Sequence, residues 1–122
     1  MLTLYFDLEF SVTDYPKKTC EIDRLIRHPK LVAEAIAGHK TQQRRDGIYA
    51  YPGETFELDD ISFSVTALER KTLADMTDDD AKAEGYPGLG AYKELILRMH
   101  PNMTWDGSHR VWVHHFEKSG ST

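Results

Sequence analysis

Gly38-His39-Lys40-Thr41-Gln42-Gln43-Arg44-Arg45 gathers Lys40, Arg44 and Arg45 directly behind a short apolar helix signal. Ammonium and guanidinium groups beside a helix end and a tight turn can hold a phosphate or polarise a carbonyl. The same segment carries the Thr41 hydroxyl and the Gln43 carboxamide. A hydroxyl can be activated as a nucleophile, whereas a carboxamide has no proton to lose and can only donate, accept or read a base edge. A second polar block, Thr77-Asp78-Asp79-Asp80-Ala81-Lys82-Ala83-Glu84-Gly85-Tyr86, offers carboxylates for acid or base work and an aromatic ring able to stack on a nucleobase. The plainer account of Lys40 and Arg45 is a pair of surface cations that neutralise the acids of 77–84, worth about 0.2–1 kcal/mol each.

Other reactive side chains carry less. Cys20 is the single cysteine, which excludes an internal disulfide and a cysteine-based zinc site. His114 and His115 are neighbours in a strand pattern and point to opposite faces, so they cannot chelate one ion from a regular strand. No metal and no cofactor are expected.

The elements that would position these groups follow from periodicity. Leu2, Leu4, Phe6, Leu8 and Phe10 alternate with polar residues and predict an extra N-terminal strand, with a turn, over 1–21. Residues 20–26 predict a second strand. Pro29 suits a first helical position, Leu31, Val32, Ala35 and Ile36 share one face, and Gly38 suits the left-handed residue that ends the helix. Residues 47–51 and 55–58 predict short strands joined by Pro52-Gly53. Ile61, Phe63, Val65 and Ala67 alternate with polar residues after an Asp59-Asp60 turn. Thr77 can cap a helix with Asp78 to Asp80 in its first turn and Gly85 beyond its end. Tyr92, Leu95, Ile96 and Met99 form the stripe of a last helix that stops at His100-Pro101. Val111 to Phe116 predicts the final strand, with Trp112 in the core, and 118–122 reads as a flexible tail.

A chain of 122 residues with 40% apolar and 29% charged residues fits one soluble domain. The net charge of −5 argues against non-specific coating of nucleic acid. Residues 24–45 are nevertheless rich in Lys and Arg and residues 57–84 rich in acids, so a locally basic face on an acidic body is one expectation and dispersed solvated charges the other. The N-terminal apolar run lacks a basic leader and does not read as a signal peptide, which makes a cytoplasmic location, without membrane attachment, the expectation. Strands around two or three helices without a βαβ rhythm indicate an α+β fold.

In their order, the 38–45 block, the 77–86 block and Val111-Trp112-Val113-His114-His115-Phe116-Glu117 resemble the ASCH family of the PUA-like superfamily, over roughly residues 22–117. The resemblance implies a single ASCH domain over 1–122, built as a PUA-like β-pseudo-barrel with two or three short helices. Gly38, Lys40, Thr41 and Arg45 match its first motif, and Glu84 matches an acid on its later helix. In members that deacetylate N4-acetylcytidine, the position of Gln43 is a Thr regarded as the nucleophile, which works with the Lys and the Glu. The residues so implied are Lys40, Glu84 and Thr41 for catalysis and Lys40, Gln43, Arg44, Arg45 and Tyr86 for ligand binding. The function implied is binding of RNA or of a nucleotide or nucleoside in a basic cleft. The rivals are a hydrolase in that cleft, an N4-acetylcytidine amidohydrolase or a ribonuclease, and a protein-interaction module.

Overall fold

A computed structural model of the chain describes residues 15–119. The strand predicted over residues 2–10 lies outside them. Four strands make one antiparallel sheet in the order β1-β4-β3-β2: β1 Gln42–Arg45, β2 Thr55–Leu58, β3 Ile61–Thr72 and β4 Arg110–Lys118. The sheet curls into a half-barrel, with α1 Pro29–Ile36, α2 Asp78–Glu84 and α3 Leu89–Met99 against it, an α+β PUA-like architecture.

Local chemistry explains the elements. The α1 helix starts at Pro29 behind His28, whose ring accepts from Lys30 N, and its chain leaves through Gly38 at φ +90°. Asp59 and Asp60 both adopt positive φ, 51° and 70°, the two-residue turn whose twist matches a β-hairpin. The α2 helix carries a full capping box, Thr77 with Asp80, and stops at Gly85 with φ +108°.

Two predicted strands are not strands. Residues 22–24 form a 3-10 turn, closed by Leu25 N on Ile22 O, behind which the consecutive Leu25 and Ile26 both join the main core. Residues 47–51 do alternate, with Ile48 and Ala50 buried, but no strand among the described residues pairs with them. Their backbone is satisfied instead by Thr19 N on Ile48 O, by Tyr49 N on His114 Nε2 and by Tyr51 N on Glu54 Oε2. At the C-terminal end, Lys118 still belongs to β4 and Ser119 N donates to Ser62 O, so the expected tail begins no earlier than residue 120.

The β4 strand is buried on both faces. Val111 and Val113 pack with Leu73, Met103 and Trp105. Phe116 packs on the other face with Phe56 and Phe63, ring centroids 5.4–5.8 Å apart, in the main core with Leu25, Ile26 and Val65. Trp112 corrects its expectation of core burial: it is half-buried, pairs in register with Arg70, and carries that guanidinium 4.8 Å over its ring.

The turn after β1 is tight enough to test. A Cβ on Gly47 would lie 1.9 Å from Thr19 Oγ1 and 2.9 Å from Thr19 Cβ. Gly47→Ala should therefore force the 19/48 backbone contact apart and cost about 1–3 kcal/mol, read as a lower urea midpoint with an unchanged slope.

Candidate functional site

Every residue of β1 is polar, yet Gln42, Gln43 and Arg44 are buried. Among the described residues the strand is at the edge of the sheet, paired with β4 on one side only. Its free edge needs hydrogen-bond partners, and two side chains supply them. Lys40 Nζ donates to Gln42 O at 2.7 Å, and Arg44 N donates to Glu84 Oε1 at 3.3 Å. The two side chains also hold each other. Lys40 Nζ lies 3.7 Å from Glu84 Oε1 and donates to Glu84 O, at the end of α2, at 2.6 Å. Thr41 N donates to Ala83 O and completes the link between β1 and α2.

Asp80 and Glu84 are one helical turn apart on α2 and both face Arg44. Arg44 NH2 is 3.7 Å from Asp80 Oδ2, and Arg44 Nε is 3.7 Å from Glu84 Oε2. Gln42 Nε2 donates to Glu84 Oε2 at 3.1 Å. The side chains of Arg44 and Glu84 are each 2% exposed and that of Lys40 is 0%. Among the described residues, the three nitrogens of the Arg44 guanidinium have no acceptor within hydrogen-bond distance, and Gln43 Oε1 has no donor, since Gln43 turns its amide nitrogen to Arg44 O. Buried polar atoms are normally paired, so these four are the anomaly of the site.

Burial sets the proton affinities. Desolvation holds the Lys40 ammonium down to about 8, against the opposing attraction of Glu84. Desolvation raises Glu84, against Lys40 and Arg44. Asp80 is lowered: its partial burial opposes ionisation and is outweighed by hydrogen bonds from Thr77 and by Arg44. Burial and the nearby Glu84 charge raise the phenols of Tyr86 and Tyr92, so both stay protonated at neutral pH.

A cleft of about 600 Å³ opens against this group. Gln43, Arg44, Arg45 and Glu84 border it, with Tyr49, Tyr86, Tyr92 and Trp105 among the aromatic walls and Arg27 and His109 among the outer residues. The structure thus brings together Gln43, Arg44, Arg45, Glu84 and Tyr86 of the expected set. Two expectations are corrected. Lys40 does not border the cleft: it lies behind Glu84 with its protons committed, as part of the frame and not as a solvent-facing cation. Thr41 is exposed and does not border the cleft, which lies further along the strand at residues 43–45. Arg45 is half structural, since Nε and NH2 donate to Leu25 O at 3.2 and 2.7 Å while the guanidinium lies 5.1 Å over the Tyr49 ring.

Sequence reasoning missed Gln42, Asp80, Tyr92, Trp105 and His114. The Asp80/Glu84 spacing on a capped helix was the available signal for one of them. His114 is fully buried; its Nε2 accepts from Tyr49 N at 3.0 Å and its Nδ1 meets Gln43 O at 3.1 Å. That bonding defines a neutral ring protonated on Nδ1, which ties the Tyr49 wall to β1.

No family model and no curated protein matches the sequence. Among solved structures, the chain is similar to an ASCH domain from Lactobacillus crispatus JV V101, with a TM-score of 0.57 and 12% identity over 91% of this chain and 90% of that one. It is also similar to a DUF984 protein from Enterococcus faecalis V583, with a TM-score of 0.53 and 14% identity over 74% of this chain and 67% of that one. The chain has the ASCH fold.

Two predictions concern the frame. Lys40→Met should cost about 3–5 kcal/mol in urea unfolding, because Glu84 loses one of its two buried cations and the carbonyls of Gln42 and Glu84 lose their donor. The second concerns His114, whose burial depresses its proton affinity to about 4. The unfolded ring protonates at about 6.5 and the folded one does not, so stability should fall as pH drops from about 6.5 to about 4, by roughly 3 kcal/mol from this residue. His114→Gln should remove that slope, a change that unfolding at stepped pH values measures directly.

Proposed function

We propose that the protein binds a nucleotide or nucleoside, free or as one residue of single-stranded RNA, in the cleft along β1, in RNA metabolism or modified-nucleoside handling. The observation that carries this reading is the Arg44 guanidinium, buried at the cleft floor with three nitrogens lacking an acceptor. A guanidinium so placed favours a ligand with hydrogen-bond acceptors. The walls favour a planar one, since base–aromatic stacking contributes about 1–3 kcal/mol per base. A volume of about 600 Å³ suits one nucleotide. The ASCH resemblance of the 38–45 and 77–86 blocks points the same way, by analogy at the level of the fold.

A hydrolase in the same cleft is the second reading, as an N4-acetylcytidine amidohydrolase or a ribonuclease. The observation that favours it is Glu84, a buried carboxylate bordering the cleft with a raised proton affinity, suited to activating a water. Covalent catalysis has less support, because Gln43 is no nucleophile and Thr41 does not border the cleft. Among the described residues bordering the cleft, Thr104 alone has an aliphatic hydroxyl, on the exposed α3–β4 connection.

NMR titration with single-stranded RNA and with nucleotides tests the binding reading. Shifts should gather at residues 43–45, 84–86 and Trp105, with affinity falling modestly as salt rises, since few phosphates are neutralised. Shifts elsewhere, or none, would sink it. For the second reading, the natural protein should be slow or inactive on N4-acetylcytidine. Gln43→Thr should raise activity by a measurable part of the ~10²–10⁴-fold that a positioned base contributes, and Glu84→Gln in that background should remove the gain. Mass spectrometry of the released nucleoside decides between these outcomes.

A further inference from the structure

Consecutive side chains of β1 point to opposite faces of the sheet. Arg44 pairs in register with Val113 and so shares the face on which Val113 packs with Leu73, Met103 and Trp105. Gln43 pairs with His114, and Arg45 with Trp112. Both therefore lie on the other face, where the His114 ring meets Tyr49 edge-on at 6.1 Å and Arg45 covers the Tyr49 ring. The cleft borders residues 43, 44 and 45 together because it follows the free edge of the strand. It consequently has two lobes, one at Trp105 and one at Tyr49.

The lobes differ in charge. On the Trp105 side, the cations Lys40 and Arg44 are matched by the carboxylates Asp80 and Glu84, with each contact at 3.7 Å. A phosphate brought to Arg44 would approach both carboxylates in a poorly solvated pocket, where like-charge repulsion is strong. An uncharged carbonyl or ring nitrogen meets the guanidinium without that repulsion. On the Tyr49 side, Arg27 and Arg45 take part in no ion pair among the described residues, and the carboxylate next to Arg45, Asp46, is solvent-exposed and meets His109 at 2.9 Å. Arg27 is exposed at the mouth, where a phosphate keeps part of its hydration.

We infer that the cleft imposes one orientation on its ligand: the uncharged heterocycle enters the Trp105 lobe with an acceptor atom on Arg44, and the phosphate stays in the Tyr49 lobe against Arg27 and Arg45. This rests on the nucleotide-binding reading and adds to it the part of the ligand that each lobe takes. It makes Arg44, which the sequence motif pairs with no defined role, the residue that reads the base, and Gln43 Oε1, buried without a donor on the opposite face, an acceptor for a sugar hydroxyl or an amino group.

The test uses the whole chain with its backbone amides, methionine methyls and tryptophan indoles observed by NMR. The probes are the four ribonucleosides, their 5′-monophosphates and inorganic phosphate. Nucleosides should shift Met103 and Trp105. Monophosphates should shift the same signals and those of Arg27 and Tyr49, and bind several-fold more tightly at low salt, with the gain lost at about 0.5 M salt. Inorganic phosphate should leave Trp105 unmoved. Arg27→Gln should lower monophosphate affinity toward that of the nucleoside and leave nucleoside affinity unchanged. Arg44→Met should weaken both by at least about tenfold. The orientation is overturned if phosphate alone shifts Trp105 and Met103, or if nucleosides shift Tyr49 and leave Trp105 in place. The shift map on the unaltered protein decides this even where Arg44→Met lowers folding. Binding with the lobes reversed removes the orientation and keeps the nucleotide reading, whereas no binding by any nucleoside, nucleotide or RNA removes both.

Discussion

The free edge of β1 is the constraint on which this molecule depends. A buried strand edge needs donors and acceptors, and no fifth strand among the described residues supplies them. The Lys40 ammonium meets the carbonyl of Gln42, and the Glu84 carboxylate meets the amide of Arg44. Each charge is tolerable in the interior only because the other is there. Their mutual contact fixes the end of α2 against the strand, and α2 in turn carries Asp80 into reach of Arg44. The capping box at Thr77 and the left-handed Gly85 limit α2 to seven residues, so that Glu84 falls on its last turn.

The same arrangement decides what the cleft can and cannot do. A lysine that closes a strand edge is not free to activate a nucleophile, and its depressed proton affinity reflects burial behind Glu84. The polar groups of β1 and α2 that border the cleft are the guanidiniums of Arg44 and Arg45, the carboxamide of Gln43 and the carboxyl of Glu84, beside tyrosine and tryptophan rings, with Asp46 and His109 also on its lining. Glu84 is the buried carboxyl among them, and the Asp46–His109 pair is exposed. Arg45, the better match to the motif, spends two of its donors on the Leu25 carbonyl, and its neighbour Arg44 holds the unused ones.

Much of the architecture was legible in the residues. Pro29 and Gly38 bracketed α1, the Thr77 box and Gly85 bracketed α2, and the alternation from Ile61 marked the central strand. The pairing of Lys40 with Glu84 was also legible, through the motif that places them together. The burial of β1 was not. Gln-Gln-Arg-Arg is solvent-facing by composition, and only the two carboxylates of α2, far along the chain, make its interior position affordable. Residues 47–51 failed for the converse reason: the alternation of Ile48 and Ala50 was real, but their backbone partners are His114 and the chain at Thr19. Periodicity reports which side chains are buried and not what the main chain bonds to.

The polar layer around Lys40 also divides the interior. Phe56, Phe63 and Phe116 belong to one apolar cluster, whereas Leu73, Val111 and Val113, and separately Met76, Ala81 and Tyr92, form others nearer the cleft. Across such a seam, cohesion comes from a few charged contacts, while within the phenylalanine cluster it comes from continuous apolar packing. Cooperativity is then graded: the α2–α3 side can open as a unit while the phenylalanine side stays closed. Amide protons of α2 would exchange with solvent through that partial opening, faster than those of β3. The wall bearing Tyr86, Tyr92 and Trp105 thereby belongs to the smaller clusters, joined to the phenylalanine cluster across the charged seam, and can shift without disturbing the packing of Phe56, Phe63 and Phe116.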